Sequence, residues 1–350
     1  MLKKYNFHYL LSIWGKNLLK PDKKQRYSIR DKLFAHLEIW RIYTVIWCGL
    51  VGLAGACITF GGFPSLRIAL LATFIPMMGW IAALYLADFL DRKLDAIQKP
   101  HRPIPSGRIK PKEALFIGSI FVITGFILSL LLSIYNIILV FVVAFLVYGY
   151  AKISKSQGIM GNINRGIVTV AAYFFGVFSI GKPLETIPIY IWLLSLVFLF
   201  HDTNSNLVGA IRDMEGDKKG GYKTIPVKYG IKNSILISFI LTAIWLSLAL
   251  YLSYYYKFVT NWFYIVMILD VLILLSLYVY LMRSINRYTR ERGLKFHEFF
   301  VIERITLASA FIFGVVEPKI AVFVFVVAIL VTIISQYLLR KRYEFQGIKR

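Results

Sequence analysis

Long apolar runs separated by short charged ones dominate this chain. They stand at about 43–60, 65–87, 113–133, 135–151, 163–181, 186–209, 233–255, 259–282, 299–316 and 320–339. Each is close to the roughly 20 residues that cross a hydrocarbon layer as a helix. Lipid admits only spanning structures whose backbone groups bond among themselves, and runs of this length do so as helices. The pattern predicts an all-α integral membrane protein, a bundle of nine to ten transmembrane helices. Gly314, Glu317 and Pro318 interrupt the last two runs. The chain divides into an N-terminal arm (1–42), a transmembrane domain (43–340) and a short tail (341–350).

Charge changes the picture by giving the bundle an orientation. The formal net charge is +23. In a soluble chain this would suggest a nucleic-acid partner, but its distribution suggests a membrane. With the arm inside, only Arg67, Lys182, Lys257 and Lys319 fall in outside loops, which leaves 37 of the 41 Lys and Arg inside. That asymmetry places both termini and the polar loops in the cytoplasm, and suits a prokaryotic plasma membrane with no nucleic acid bound. The arm carries ten of these cations, as expected of a segment lying on anionic lipid. Cys48 and Cys57 both sit in an apolar run, so neither a disulfide framework nor a Cys/His metal pattern is indicated. No cleavable signal peptide is expected.

Two loops carry chemistry. In ADFLDRKLDAIQKPHRPIPSG, Asp88, Asp91 and Asp95 stand at i, i+3 and i+7, within roughly 60° on one helix face. Lys99, Arg102 and Arg108 follow at once. In HDTNSNLVGAIRDMEGDKKGGYKTIPVKYG, Asp213 and Asp217 share a face with Asn206 and Asp202, and Lys218, Lys219, Lys223 and Lys228 come next. Clustered carboxylates repel unless a cation joins them, and hard oxygens suit Mg²⁺. Cations beside such a cluster suit a diphosphate. Two such faces at the ends of spans would hold Mg²⁺ bridging a diphosphate and stabilise the charge that develops as it leaves. Span aromatics would shield a carbocation-like centre.

With these motifs in view, the chain resembles the UbiA superfamily of intramembrane prenyltransferases. ADFLDRKLD and RPIPSG (Arg102 to Gly107) match that family's motif after its second span. AIRDMEGD followed by GGYKTIPVKYG matches the motif after its sixth. YGYAK (Tyr148 to Lys152) is similar to its tyrosine–lysine signature, and Arg41 to an arginine before the first span. Ala87 stands where the family usually has Asn, and Ala210 where many members have Asp, which marks a divergent member.

The resemblance implies helices around a central cavity and Mg²⁺-dependent transfer of an isoprenyl chain from a polyprenyl diphosphate to an aromatic or lipid acceptor. Asp88, Asp91, Asp95, Asp213 and Asp217 would be catalytic and metal-holding; Lys99, Arg102, Lys152 and Lys223 would bind the diphosphate. Asn206, Asp202 and Arg165 are further candidates. A terpene cyclase on the same scaffold and a non-catalytic prenyl-lipid carrier are the alternatives.

Other polar residues have plainer expectations. Asp270, in mid-span, is either a substrate or proton site or a hydrogen-bonded packing residue. His201 lies about 120° from the acidic stripe and is expected to pack. Asn162, Asn164 and Arg165, opening the fifth span, are either a polar cap or residues that reach the substrate head group. Glu298 and Glu303 are expected to pair with Arg304 and Lys295.

Overall fold

The computed structural model describes residues 27–345 apart from 284, 286 and 287. Residues 1–26, most of the expected arm, and residues 346–350 of the expected tail lie outside the described residues. Helix α1 (Ile29–Trp40) opens on a reciprocal cap. The Ser28 hydroxyl accepts from the Asp31 amide, and the Asp31 carboxylate accepts from the Ser28 amide. The helix stops at Arg41, which takes a left-handed backbone (φ 44°, ψ 55°). That conformation costs a side-chain-bearing residue about 1 kcal/mol or more.

Ten helices of at least 18 residues follow. They are α2 (Ile42–Phe60), α3 (Leu66–Gln98), α4 (Pro111–Ser129), α5 (Ile134–Lys152), α6 (Ile159–Ser179), α7 (Ile189–Lys219), α8 (Ile225–Tyr256, broken at Gly230), α9 (Asn261–Arg283), α10 (Arg290–Val315) and α11 (Pro318–Ser335). Every apolar run of the sequence falls on one of them. Among the described residues, α2, α3, α4, α5, α8, α9 and α11 are long and apolar enough to cross a membrane. The other three, α6, α7 and α10, carry polar residues that turn inward.

Helix α2 forms the centre, with 83% of its apolar stretch buried; α5, at 6%, lies at the rim. The centre closes through glycines. A Cβ at Gly52 would lie 2.2 Å from the Ala72 carbonyl oxygen of α3, and one at Gly176 would lie 1.8 Å from the Gly52 carbonyl oxygen. These contacts draw α3 and α6 onto α2 at backbone distance, as small residues do between membrane helices. Helices α2 to α7 and the start of α10 surround a cavity of about 790 Å³. One end is apolar, lined by Ile75, Gly125, Leu139 and Phe175 among others; the other end is charged. After α11 the chain winds through wide turns over Gln336–Phe345 and returns to the charged end.

Candidate active site

Helix α3 runs eleven residues past its apolar stretch, and this extension carries the first acidic face. Asp88, Asp91 and Asp95 all line the cavity. Each is engaged by a cation. Asp88 accepts from the Arg41 guanidinium and, at 2.8 Å, from the Tyr343 hydroxyl. Asp91 accepts from the Lys155 ammonium. Asp95 accepts from Arg102 Nη1 at 2.8 Å. Arg41 and Arg102 sandwich the Tyr343 ring at 4.3 and 4.2 Å. The strained backbone at Arg41 therefore turns a guanidinium into the site.

Helix α7 likewise continues beyond its apolar part and supplies Asp213 and Asp217. Asp213 pairs with Arg212 at 2.5 Å and with Lys99 at 3.9 Å. Its Oδ1 is buried without a hydrogen bond. The Thr224 hydroxyl donates to Asp217 at 3.1 Å. Burial, and then the neighbouring Asp213 charge, push the Asp217 carboxyl up to about 6. Asn206 lines the same wall and donates to the Tyr150 hydroxyl at 3.3 Å. Ala87 and Ala210 also face the cavity.

The structure thus brings together all five motif aspartates, Lys99, Arg102, Asn206 and Arg165. Arg165 lies flat on Trp80, 3.9 Å from the ring centroid. Several expectations need correction. Lys152 closes α5 with its side chain exposed, away from the cavity; Lys155, three residues on, is the lysine that enters. Lys223 is exposed too, and only its backbone is engaged, its amide donating to the Ser156 carbonyl. Arg108 forms a two-pronged bond to the buried Glu38 at 2.6 and 2.8 Å and so leaves the site.

Asp202 lies behind the cavity wall, where it holds Arg304 at 2.9 Å and Arg165 at 3.8 Å. It anchors cavity-lining cations instead of facing the cavity itself. Glu303 takes His201 at 3.0 Å in place of the expected arginine or lysine, and Lys295 pairs with Glu291. His201 packs among Trp47, Trp245 and Phe300, as its place on the helix predicts. Asp270 is fully buried outside the cavity.

Sequence reasoning missed Lys155, Arg212, Arg290, Tyr343 and Glu344, all at the charged end. Arg212 stands inside a quoted motif, and its position beside Asp213 was the available signal. The last two come from the expected tail, whose sequence gives no such hint.

The site also fits a divalent metal. Among the described residues, no three acidic or imidazole side chains form a ready cage. The donors are nevertheless hard carboxylate oxygens on facing helix ends around one cavity, and Asp213 Oδ1 is free of hydrogen bonds. This is the set for an ion such as Mg²⁺, which takes one or two carboxylates and leaves its other positions to water and phosphate.

Comparison with known proteins agrees. The UbiA prenyltransferase family matches residues 45–302. Digeranylgeranylglyceryl phosphate synthase of Methanocaldococcus jannaschii is 31% identical over 291 residues, which is 82% of this chain and 98% of that protein. The synthase of the same name from Sulfurisphaera tokodaii is 30% identical over 74% of this chain and 91% of its own. Among solved structures, one of a digeranylgeranylglyceryl phosphate synthase in membranes superposes with a TM-score of 0.61 at 29% identity, covering 82% of this chain and 99% of its own. A UbiA homologue of Archaeoglobus fulgidus, solved with DMAPP and Mg²⁺, shares the fold at 0.53 and 19% identity, over 87% of this chain and 99% of its own. With its motifs gathered on one cavity and most of its length matched, this chain belongs to the UbiA prenyltransferase family, and it is an integral membrane prenyltransferase.

Proposed function

We propose that the protein joins the isoprenyl chain of a polyprenyl diphosphate to the hydroxyl of an isoprenyl glyceryl phosphate, releasing diphosphate. The observation that carries this reading is the cavity of about 790 Å³ and its lining. Five aspartates, Lys99, Arg102 and Lys155 gather at one end, and apolar side chains line the other. A phosphorylated head and a hydrocarbon tail match those two ends. The acceptor class comes from the relatives that share about 30% identity over most of this chain, whose name carries a diprenyl glyceryl phosphate product. Support for Mg²⁺ comes from the donor set and from the fold relative solved with that ion.

In this reading Asp88, Asp91 and Asp95 hold one ion and Asp213 and Asp217 another. Bound there, Mg²⁺ supplies positive charge against the diphosphate oxygens. Lys99, Arg102 and Lys155 add fixed charge beside the leaving oxygen, where it is worth most as negative charge develops. The bond between allylic carbon and diphosphate oxygen breaks with its electron pair leaving on the diphosphate. Trp80, Tyr85, Tyr150 and Phe175 on the wall face the cationic carbon and exclude water. The acceptor hydroxyl oxygen bonds that carbon and passes its proton to the released diphosphate. The charge asymmetry of the loops supports a charged end open to the cytoplasm.

The test is diphosphate release from geranylgeranyl diphosphate with Mg²⁺ by wild type, Asp91→Asn and Asp213→Asn. Geranylgeranylglyceryl phosphate or an aromatic quinone precursor is offered as acceptor, and products are read by mass. Release that needs the glyceryl phosphate and both acids supports the reading. A hydrocarbon or alcohol formed without acceptor would replace it with the cyclase.

A further inference from the structure

The segment Gln336–Phe345 returns to the charged end of the cavity in π-type turns. Such turns are rare and concentrate at functional sites. Its inward side is buried and held by polar contacts: the Arg340 guanidinium reaches Gln336 and His297, and Tyr343 packs against Arg41 and Arg102. Gln336 Nε2 donates to the Glu298 carbonyl at 3.3 Å, Arg340 Nη2 to the Leu294 carbonyl at 2.9 Å, and His101 Nε2 lies 3.0 Å from the Tyr343 carbonyl. At its end two side chains enter the site. The Tyr343 hydroxyl sits on Asp88. The Glu344 carboxylate, 4% exposed, lies among Arg290 (3.5 Å), Lys99 (3.9 Å) and Arg212 (3.9 Å).

These three cations come from three elements: the end of α3, the extension of α7 and the start of α10. Gathered at a partly buried spot, they repel one another unless an anion joins them. Asp213 holds Arg212 closely, at 2.5 Å, whereas the second anion, Glu344, fits loosely. Charge-assisted contacts between a carboxylate and these groups settle at about 2.7–2.9 Å, and all three are held well outside that distance from Glu344. A pocket that keeps three cations at arm's length from a two-oxygen group has room for a larger anion with more oxygens. Burial would raise the Glu344 carboxyl, yet Lys99 and Arg212 hold it well below the usual range, so it stands there as a charge. Asp213 shares Lys99 and Arg212 with it, so this pocket adjoins the second acidic motif.

We propose that Lys99, Arg212 and Arg290 form a phosphate site which Glu344 fills as an internal counter-anion. A substrate phosphate enters by displacing the C-terminal segment, which also withdraws Tyr343 from Asp88. The proposal rests on the cavity taking phosphorylated lipids. The phosphate has two possible sources, the diphosphate donor and the glyceryl phosphate acceptor, and they are separable by experiment.

The full-length protein in lipid nanodiscs, free of divalent metal, is titrated calorimetrically with inorganic pyrophosphate and with glycerol 1-phosphate. Wild type, Glu344→Gln and Arg290→Gln are compared. Removing the resident anion is expected to tighten one of the two ligands about tenfold, on the scale of one partly buried ion pair, and Arg290→Gln to weaken the same one. The ligand that responds names the source. A second measurement needs no substitution. Hydrogen exchange of wild-type amides 336–345 is expected to speed up at saturation with that ligand.

The proposal is overturned by unchanged affinity in Glu344→Gln, by affinity and melting temperature falling together there, or by exchange that stays constant or slows with ligand bound. A wild type that releases the segment on binding a phosphate yet consumes no prenyl diphosphate would retain this site and refute the enzymatic reading instead.

Discussion

Lys155→Gln separates the structure from the motif. The family resemblance points to Lys152, whereas the structure puts Lys155 on Asp91 and on the cavity wall. A hydrogen bond from a charged donor contributes about 1.5–3 kcal/mol, or roughly 10- to 150-fold in kcat/KM. The Lys155 side chain is 29% exposed, and solvent screening pulls the expectation toward the lower end of that range. A loss of about 10- to 30-fold is expected, with Lys152→Gln within about twofold of wild type. The assay is steady-state kcat/KM for geranylgeranyl diphosphate at saturating acceptor and Mg²⁺, with melting temperature as the control for folding. A Lys152→Gln enzyme impaired more than tenfold beside an active Lys155→Gln enzyme would refute the placement of the lysine.

Other expectations follow from the same geometry. The Asp217 carboxyl, raised to about 6 without metal, is neutral below that pH and charged above it, so Mg²⁺ binding read by calorimetry should tighten as pH rises through about 6 and Asp217→Asn should flatten that rise. The same upward shift favours folding at low pH and is lost between the unfolded value near 4 and about 6; metal-free wild type should therefore lose more thermal stability over that interval than Asp217→Asn. Gly176→Ala drives a methyl onto the Gly52 carbonyl and should cost at least the roughly 1–3 kcal/mol of an overpacked core, read as a lower melting temperature; an unchanged melt would contradict the close approach of α2 and α6. Gly79→Phe projects into open cavity space, about 14 Å along α3 from Asp88, and should move preference from C20 toward C10 donors. Equal relative kcat/KM for the two donors in mutant and wild type would show that the chain does not lie there.

Spacing along one helix was enough to find the acids. Asp88, Asp91 and Asp95, like Asp213 and Asp217, are near neighbours on a single element, so a 3.6-residue period places them. The apolar runs gave the helices for the same reason. The misses involve choices between partners on different elements. Arg108 follows the first motif closely, yet the turn through Gly107 (φ 79°) carries it to Glu38. Glu303 stands beside Arg304 in sequence, but helix geometry points them apart, one to His201 and the other to Asp202. Lys152 and Lys155 differ by a short 3₁₀ turn at Ser154–Ser156, which decides which of them reaches inward. Tyr343 lies 255 residues from Asp88, and no local pattern foretells such a contact.

The length of α3 has a topographic consequence. Its 33 residues span about 50 Å, whereas the hydrocarbon layer is about 30 Å thick. The 31 residues of α7 overshoot by nearly as much. Both excesses emerge on the same face, because both acidic ends meet there. In the proposed reaction the charged heads would therefore be handled above the oily layer while the tails remain within it. Neither reactant in that reaction would have to flip between leaflets, and the lengthened lipid would be delivered to the leaflet from which its precursors came.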